Sequence, residues 1–350
     1  MKKQRFTAKS FGIGTAASAV LVAFGVQLIF QLILSLFTMP TMVRTWIVVI
    51  LNQVIFTAVA LIYCFTQKVD PIAVTGLKRP PKWYYFPIFI LIAVACITCF
   101  GPMSGLFSRL LAKLGYDRTP KYYIPLDNGG LFALAFLALT ILPAVGEETM
   151  LRGVLMSGAK KKSPLFAIFY TALIFALMHG NLNQLVHQIL LGIVMGYLVY
   201  LTGSIYASAT VHFANNAMAL LLDYGRAHDF VDKNFYWYIG GKLDAEPTII
   251  GISISLFGLL MLLTLVTCLM HRDRSANAEY EPLEGKFLDR INAYLYFLAA
   301  PNDPVEQEGE KAKKYTRRRL EGYELLVVIV LAAVLAAVVL LTLIPSGGKG

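Results

Sequence analysis

Nine apolar stretches, each close to the length a helix needs to cross a bilayer, constrain this chain more than any other feature. A hydrocarbon core about 30 Å thick calls for roughly 20 apolar residues per helix. The stretches fall near residues 11–38, 43–66, 83–102, 131–158, 164–181, 183–201, 204–222, 247–270 and 323–344. Charged residues make up 15% of the chain, against about 25% in a soluble protein, so these blocks are not the core of a soluble fold. The expected fold class is all-α: a polytopic transmembrane helix bundle of about eight or nine spans, with a cytoplasmic amphipathic segment before a last anchor helix.

The net charge of +10 does not point to nucleic acid. Lys and Arg flanking membrane helices set orientation. With Lys2, Lys3, Arg5 and Lys9 inside, nine alternating spans place 22 of the 31 basic residues on the cytoplasmic side. The N-terminus is therefore expected in the cytoplasm and the protein in the cell membrane. The first span is long and lacks a small-residue cleavage site, so it reads as an anchor rather than a removed signal peptide. Cys64, Cys96, Cys99 and Cys268 all fall in or at the ends of apolar spans, which suits small packing residues better than disulfides or a cysteine zinc site.

Three regions follow. Residues 1–270 form a multi-span membrane domain with its chemical core at about 130–223. Residues 271–322 form a cytoplasmic segment in which Leu283, Phe287, Ile291, Tyr294 and Leu298 recur at helical spacing, the pattern of a helix lying on a membrane surface. An acidic patch, Asp303 to Glu310, and a basic run, Lys311 to Arg319, come next. Residues 323–350 are an anchor and tail, with only apolar residues from Leu325 to Leu341. The external segment 223–246, with four aromatics from Phe235 to Tyr238, reads as an interfacial aromatic belt.

Ionisable groups at membrane depth are costly and mark function by default. Here they concentrate between 147 and 216. Glu148 and Arg152 lie four residues apart on one helical face and can pair. Glu147 points about 100° away and finds no partner at i±3 or i±4, which suits a general base. Phe175 sits one turn before His179 and can pack on its ring. Glu147 and His179 are each 16 residues from Ser163, in a turn ending at Pro164. In an antiparallel hairpin both then lie at one depth, roughly 20 Å from the turn at about 1.5 Å per residue. A carboxylate and an imidazole so placed can hold and deprotonate a water. Ser204, Ser208, His212 and Asn216 form a polar stripe on a later span, and His212 and Asn216 can both donate hydrogen bonds to an oxyanion. Asn183 and His187 share a face with a supporting role, and Gly192 and Gly196 form a close-packing GxxxG pattern.

At these residues the sequence resembles the CPBP intramembrane proteases, the family of CAAX proteases and bacteriocin-processing enzymes. The family's motifs EExxxR, FxxxH and HxxxN/B are matched in order by Glu147-Glu148…Arg152, Phe175…His179 and His212…Asn216. The resemblance covers roughly 130–223. It implies hydrolysis of a peptide bond in a membrane-associated protein or peptide. Glu147 and His179 would activate water, His212 and Asn216 would stabilise the oxyanion, and Glu148, Arg152 and Phe175 would support them. No cofactor is needed on this reading. The alternative is a zinc enzyme with Glu147, His179 and His212 as ligands, although no HExxH occurs and no His-x₃-His pair seeds a site. A non-catalytic scaffold or immunity protein of the same fold has no need of these four polar residues. A proton-coupled transporter calls for related halves with broken helices, which the sequence lacks. The expected partners are a membrane-associated substrate and the bilayer, with no nucleic acid; substrate identity and oligomeric state are not encoded in these patterns.

Overall fold

The apolar blocks fold as helices, and the polar or Gly/Pro-containing residues between them stop those helices. The structure, a computed structural model, describes residues 12–77, 80–116, 129–160, 162–240, 245–274, 287–299, 320 and 322–341. Twelve helices make up these residues: α1 (Ile13–Ser35), α2 (Thr41–Thr66), α3 (Pro71–Thr75), α4 (Tyr85–Lys113), α5 (Gly129–Lys160), α6 (Pro164–Met178), α7 (Leu182–Thr202), α8 (Ile205–Ala227), α9 (Lys233–Ile239), α10 (Ala245–Arg274), α11 (Phe287–Ala299) and α12 (Gly322–Leu341). Seven of them, α1, α2, α4, α5, α7, α10 and α12, are long and apolar enough to cross a membrane. Helix α6 is apolar but shorter. Helix α8 has spanning length and carries the polar stripe. The protein is an integral membrane protein built as a helical bundle. The N-terminal basic cluster, Leu283, the acidic patch and the basic run lie outside the described residues.

Capping chemistry accounts for the turns that place the motifs. Ser163 Oγ accepts the Phe166 N–H at 3.0 Å, and Pro164 occupies the first helical position of α6, where a missing N–H costs nothing. Asn181 caps α7 through the Asn183 N–H at 3.0 Å. Gly203 closes α7 with φ 67°, a left-handed conformation that favours glycine. Ser204, expected in the polar stripe, instead caps α8 through the Tyr206 N–H and donates to the Gly76 carbonyl at 3.3 Å.

Helices α6 and α7 form a tight antiparallel hairpin. A Cβ at Gly192 would stand 2.9 Å from Ala172 Cα, and one at Gly196 would stand 3.5 Å from Ile168 Cα, so the GxxxG face does bring two backbones together. Helix α4 packs against α7, α8 and α10, burying Phe89, Ile92 and Cys96. It runs on to Lys113 through an internal Pro102, well past the expected end near 102. The segment after α8 folds back on α4, with Tyr238 Oη donating to the Thr98 carbonyl at 2.7 Å and Ile239 pressed against Gly101. Cys64, Cys96 and Cys99 are buried as expected, whereas Cys268 is exposed.

The C-terminal part is integrated rather than appended. Leu331, Leu335 and Val339 of α12 are buried, Tyr170 Oη of α6 donates to the Val328 carbonyl at 3.2 Å, and Lys162 pairs with Glu324 at 2.6 Å. Tyr323 packs so closely on α1 that a Cβ at Gly14 would meet its ring at 2.7 Å. Helix α11 docks as well: Asn292 Oδ1 accepts the Leu165 N–H at 3.0 Å, and Leu295 is buried.

Candidate active site

Helix α5 carries two π-helical segments, 137–141 and 149–155, with the paired glutamates in the α-helical stretch between them. Insertions of this kind recur at functional sites because they re-aim side chains within a continuous helix. Pro143 supplies part of the local cause. It has no N–H for the carbonyl four residues earlier, and its ring crowds that turn. That carbonyl belongs to Leu139, and Asn216 Nδ2 of α8 donates to it at 3.1 Å. Asn216 is thus anchored on a carbonyl of α5 to which Pro143 offers no N–H.

Glu148 and Arg152 pair at 2.7 Å as helical spacing predicts, and both side chains are fully buried. Arg152 also reaches the Gly192 carbonyl at 3.4 Å and lies over the Phe175 ring, 4.8 Å from its centroid. The same oxygen of Glu148 stands 3.0 Å from His212 Nδ1. An ionised carboxylate only accepts, so His212 Nδ1 carries a proton and donates. That leaves Nε2 facing Glu147, at 3.9 Å from its Oε2.

Glu147 is less isolated than its helical neighbours suggest. Its Oε1 accepts from Gln53 Nε2 of α2 at 2.8 Å, in a buried contact across 94 residues of sequence. Its Oε2 is buried with no hydrogen-bond partner. The approach of α2 requires Gly146, where a Cβ would stand 2.8 Å from both Gln53 O and Gln53 Oε1.

Phe175 ties the two histidines together. Its ring meets His179 edge-on at 4.9 Å and His212 edge-on at 5.4 Å. His179 Nδ1 lies 2.8 Å from the Phe175 carbonyl, so that nitrogen donates and Nε2 is left with its lone pair. Glu147, His212 and Arg152 are the ionisable side chains around His179. Behind this group, His187 Nε2 lies 3.3 Å from Asn215 Oδ1, and Asn215 Nδ2 donates to Asn216 Oδ1 at 3.4 Å. His187 thus contacts the stripe through Asn215.

Glu147, Glu148, Arg152, Phe175, His179, His212 and Asn216 therefore converge from α5, α6 and α8, the first four and His212 buried and His179 and Asn216 half-buried. Sequence reasoning missed Gln53, Gly146 and the Leu139 carbonyl. The only available signal was Gln53 itself, an amide in the apolar span 43–66. Among the described residues, no group of three or more His, Cys, Asp or Glu side chains is arranged to hold a metal ion.

Comparison with known proteins concerns the same stretch of chain. The family model for Rce1-like type II CAAX prenyl endopeptidases matches residues 129–218. No curated protein and no solved structure matches the chain. The matched stretch begins with α5 and ends two residues after Asn216, so it takes in all three motifs and leaves out α1, α2 and α4. Residues 129–218 of this integral membrane protein are thus similar to the Rce1-like CAAX prenyl endopeptidases, in keeping with the CPBP intramembrane-protease family that the three motifs resemble.

Proposed function

We propose that the chain is a glutamate-dependent intramembrane endopeptidase that hydrolyses a peptide bond in a membrane-associated protein or peptide. Glu147 takes a proton from water through Oε2 while His179 Nε2 accepts the water's other hydrogen bond and fixes its position. The resulting hydroxide adds to the scissile carbonyl. Asn216 Nδ2, which has a second N–H beyond the one given to Leu139, donates to the oxyanion. His212 enters the reaction as an imidazolium and donates from Nε2 to the oxyanion, and the Glu148 carboxylate at Nδ1 balances that charge. Collapse of the intermediate breaks the C–N bond, and the proton held by Glu147 passes to the leaving amine. General acid–base transfer contributes about 10²–10⁴-fold, and loss of one oxyanion donor costs about 10²–10³-fold.

The observation that carries this reading is the pairing of a buried, unpartnered Glu147 Oε2 with His212 Nε2, 3.9 Å away, on a ring held from behind by Glu148. That distance is too long for a direct hydrogen bond, so the carboxylate oxygen remains free to take a proton. No metal is required by these groups. The basic residues around the helix ends support a cytoplasmic N-terminus in the cell membrane. The test is turnover by the purified full chain before and after exhaustive chelation, with elemental analysis of the active sample. Unchanged turnover is expected, together with loss to background in Glu147→Gln. Stoichiometric zinc, with activity lost on chelation and regained on its return, would make the enzyme a metalloprotease.

A further inference from the structure

We infer that Gln53 is a positioning residue for the Glu147 carboxylate, so that the reactive site is incomplete without α2. This inference rests on the endopeptidase reading for its catalytic meaning, but the contact itself is independent of it. Gln53 lies outside the matched residues 129–218, on a helix with no motif of its own. Its Nε2 donates to Glu147 Oε1 at 2.8 Å, both groups being buried. Hydrogen bonds to an ionised acceptor are about twice as strong as neutral ones. This one fixes the plane of the Glu147 carboxylate and directs Oε2 toward His212.

A purely structural account of Gln53 is weak. An amide in an apolar helix is costly to bury unless its polar atoms are paired, and Gln53 Oε1 has no hydrogen-bond partner. Methionine has nearly the same length and volume and would fill the position without an unpaired acceptor. The local backbone is also shaped to admit the amide: Gly146, directly before the glutamates, leaves only the space that a Cβ would take from Gln53 O and Oε1. The charged and titratable groups around Glu147 are Glu148 and Arg152 on α5, His179 after α6 and His212 on α8. None of them bonds Oε1, so the Gln53 amide is its hydrogen-bond donor.

The experiment uses the full chain in proteoliposomes with wild type, Gln53→Met, Gln53→Asn and Glu147→Gln. Two readouts separate positioning from stability. With an internally quenched prenylated CAAX-type peptide as probe, Gln53→Met lowers kcat on the order of 10–100-fold at nearly constant KM. Its melting temperature and folded yield stay close to wild type. Independently of any substrate, dicyclohexylcarbodiimide, a carboxyl-directed reagent that works in apolar surroundings, labels Glu147 several-fold faster in Gln53→Met, where Oε1 has lost its amide donor, as counted by mass spectrometry. Glu148, paired with Arg152, serves as the internal reference. Equal labelling of Glu147 in wild type and Gln53→Met overturns the inference, as does unchanged kcat. If the wild type leaves the peptide uncut, the endopeptidase reading fails for that substrate, and labelling still decides whether Gln53 holds the carboxylate. If Gln53→Met does not fold, Gln53→Asn keeps the amide but withdraws it by one carbon and is read the same way.

Discussion

Glu147 and Glu148 are neighbours in sequence with opposite surroundings. Each has one oxygen without a hydrogen-bond partner, but the other oxygen of Glu148 meets Arg152 and His212, each within hydrogen-bond distance, whereas that of Glu147 meets only the neutral Gln53 amide. Removing one partner of a buried ion pair leaves the other charge unpaired and costs roughly 3–5 kcal/mol. Glu148→Gln should therefore lower the melting temperature and folded yield in detergent, because Arg152 is left uncompensated over Phe175. Glu147→Gln should leave both nearly unchanged while abolishing hydrolysis, and paired unfolding and turnover measurements on the two variants check this. Loss of activity in a fully stable Glu148→Gln protein would reverse the assignment. At this scale the sequence is legible wherever one helix settles the matter. The Glu148–Arg152 pair and the Phe175–His179 contact follow from spacing alone. Gln53 and the Leu139 carbonyl do not, because they depend on which faces of two distant helices meet.

At the scale of the element, α5 is the organising part. Pro143 and the two π segments give it a shape that a regular helix lacks, and Asn216 docks on the Leu139 carbonyl, to which Pro143 offers no N–H. Pro143→Ala restores that N–H and lets α5 close its own hydrogen bond there, in competition with Asn216. The expected result is a fall in kcat on the order of 10–100-fold, the scale of a misplacement of about 1 Å in a reactive group, while the protein stays folded. Kinetics beside a melting curve measures both. Spans and their ends are mostly legible in hydropathy and caps, as Ser163, Pro164 and Gly203 illustrate. The π segments are not, because they arise from competition between backbone bonds that no periodicity records. The extension of α4 to Lys113 escaped for a related reason: past the apolar run, packing and not hydropathy carries the helix, with Ser104 Oγ bonded to the Asn183 carbonyl at 2.6 Å.

For the whole molecule, the last helix has a larger role than an anchor. Its Glu324 pairs with Lys162 at the turn leading into the motif-two helix, with both side chains mostly buried. Lys162→Met should destabilise the fold by roughly 3 kcal/mol, and adding Glu324→Leu should restore part of that loss, as thermal unfolding of the single and double variants in detergent will report. Such long-range closure is invisible in a sequence where α12 reads as an uninterrupted apolar run; only Glu324 at its start hints at a partner. The central claim concerns the buried site itself: that Glu147 in this setting drives peptide-bond hydrolysis in the membrane. The most direct measurement is mass-spectrometric mapping of new peptide termini after the purified full chain, reconstituted in lipid, meets a membrane-peptide library that includes prenylated CAAX-type members, beside a Glu147→Ala control. The account predicts a defined set of cleavages that are present with the wild type and absent with Glu147→Ala; the same cleavages in both samples, or none in either, would contradict it.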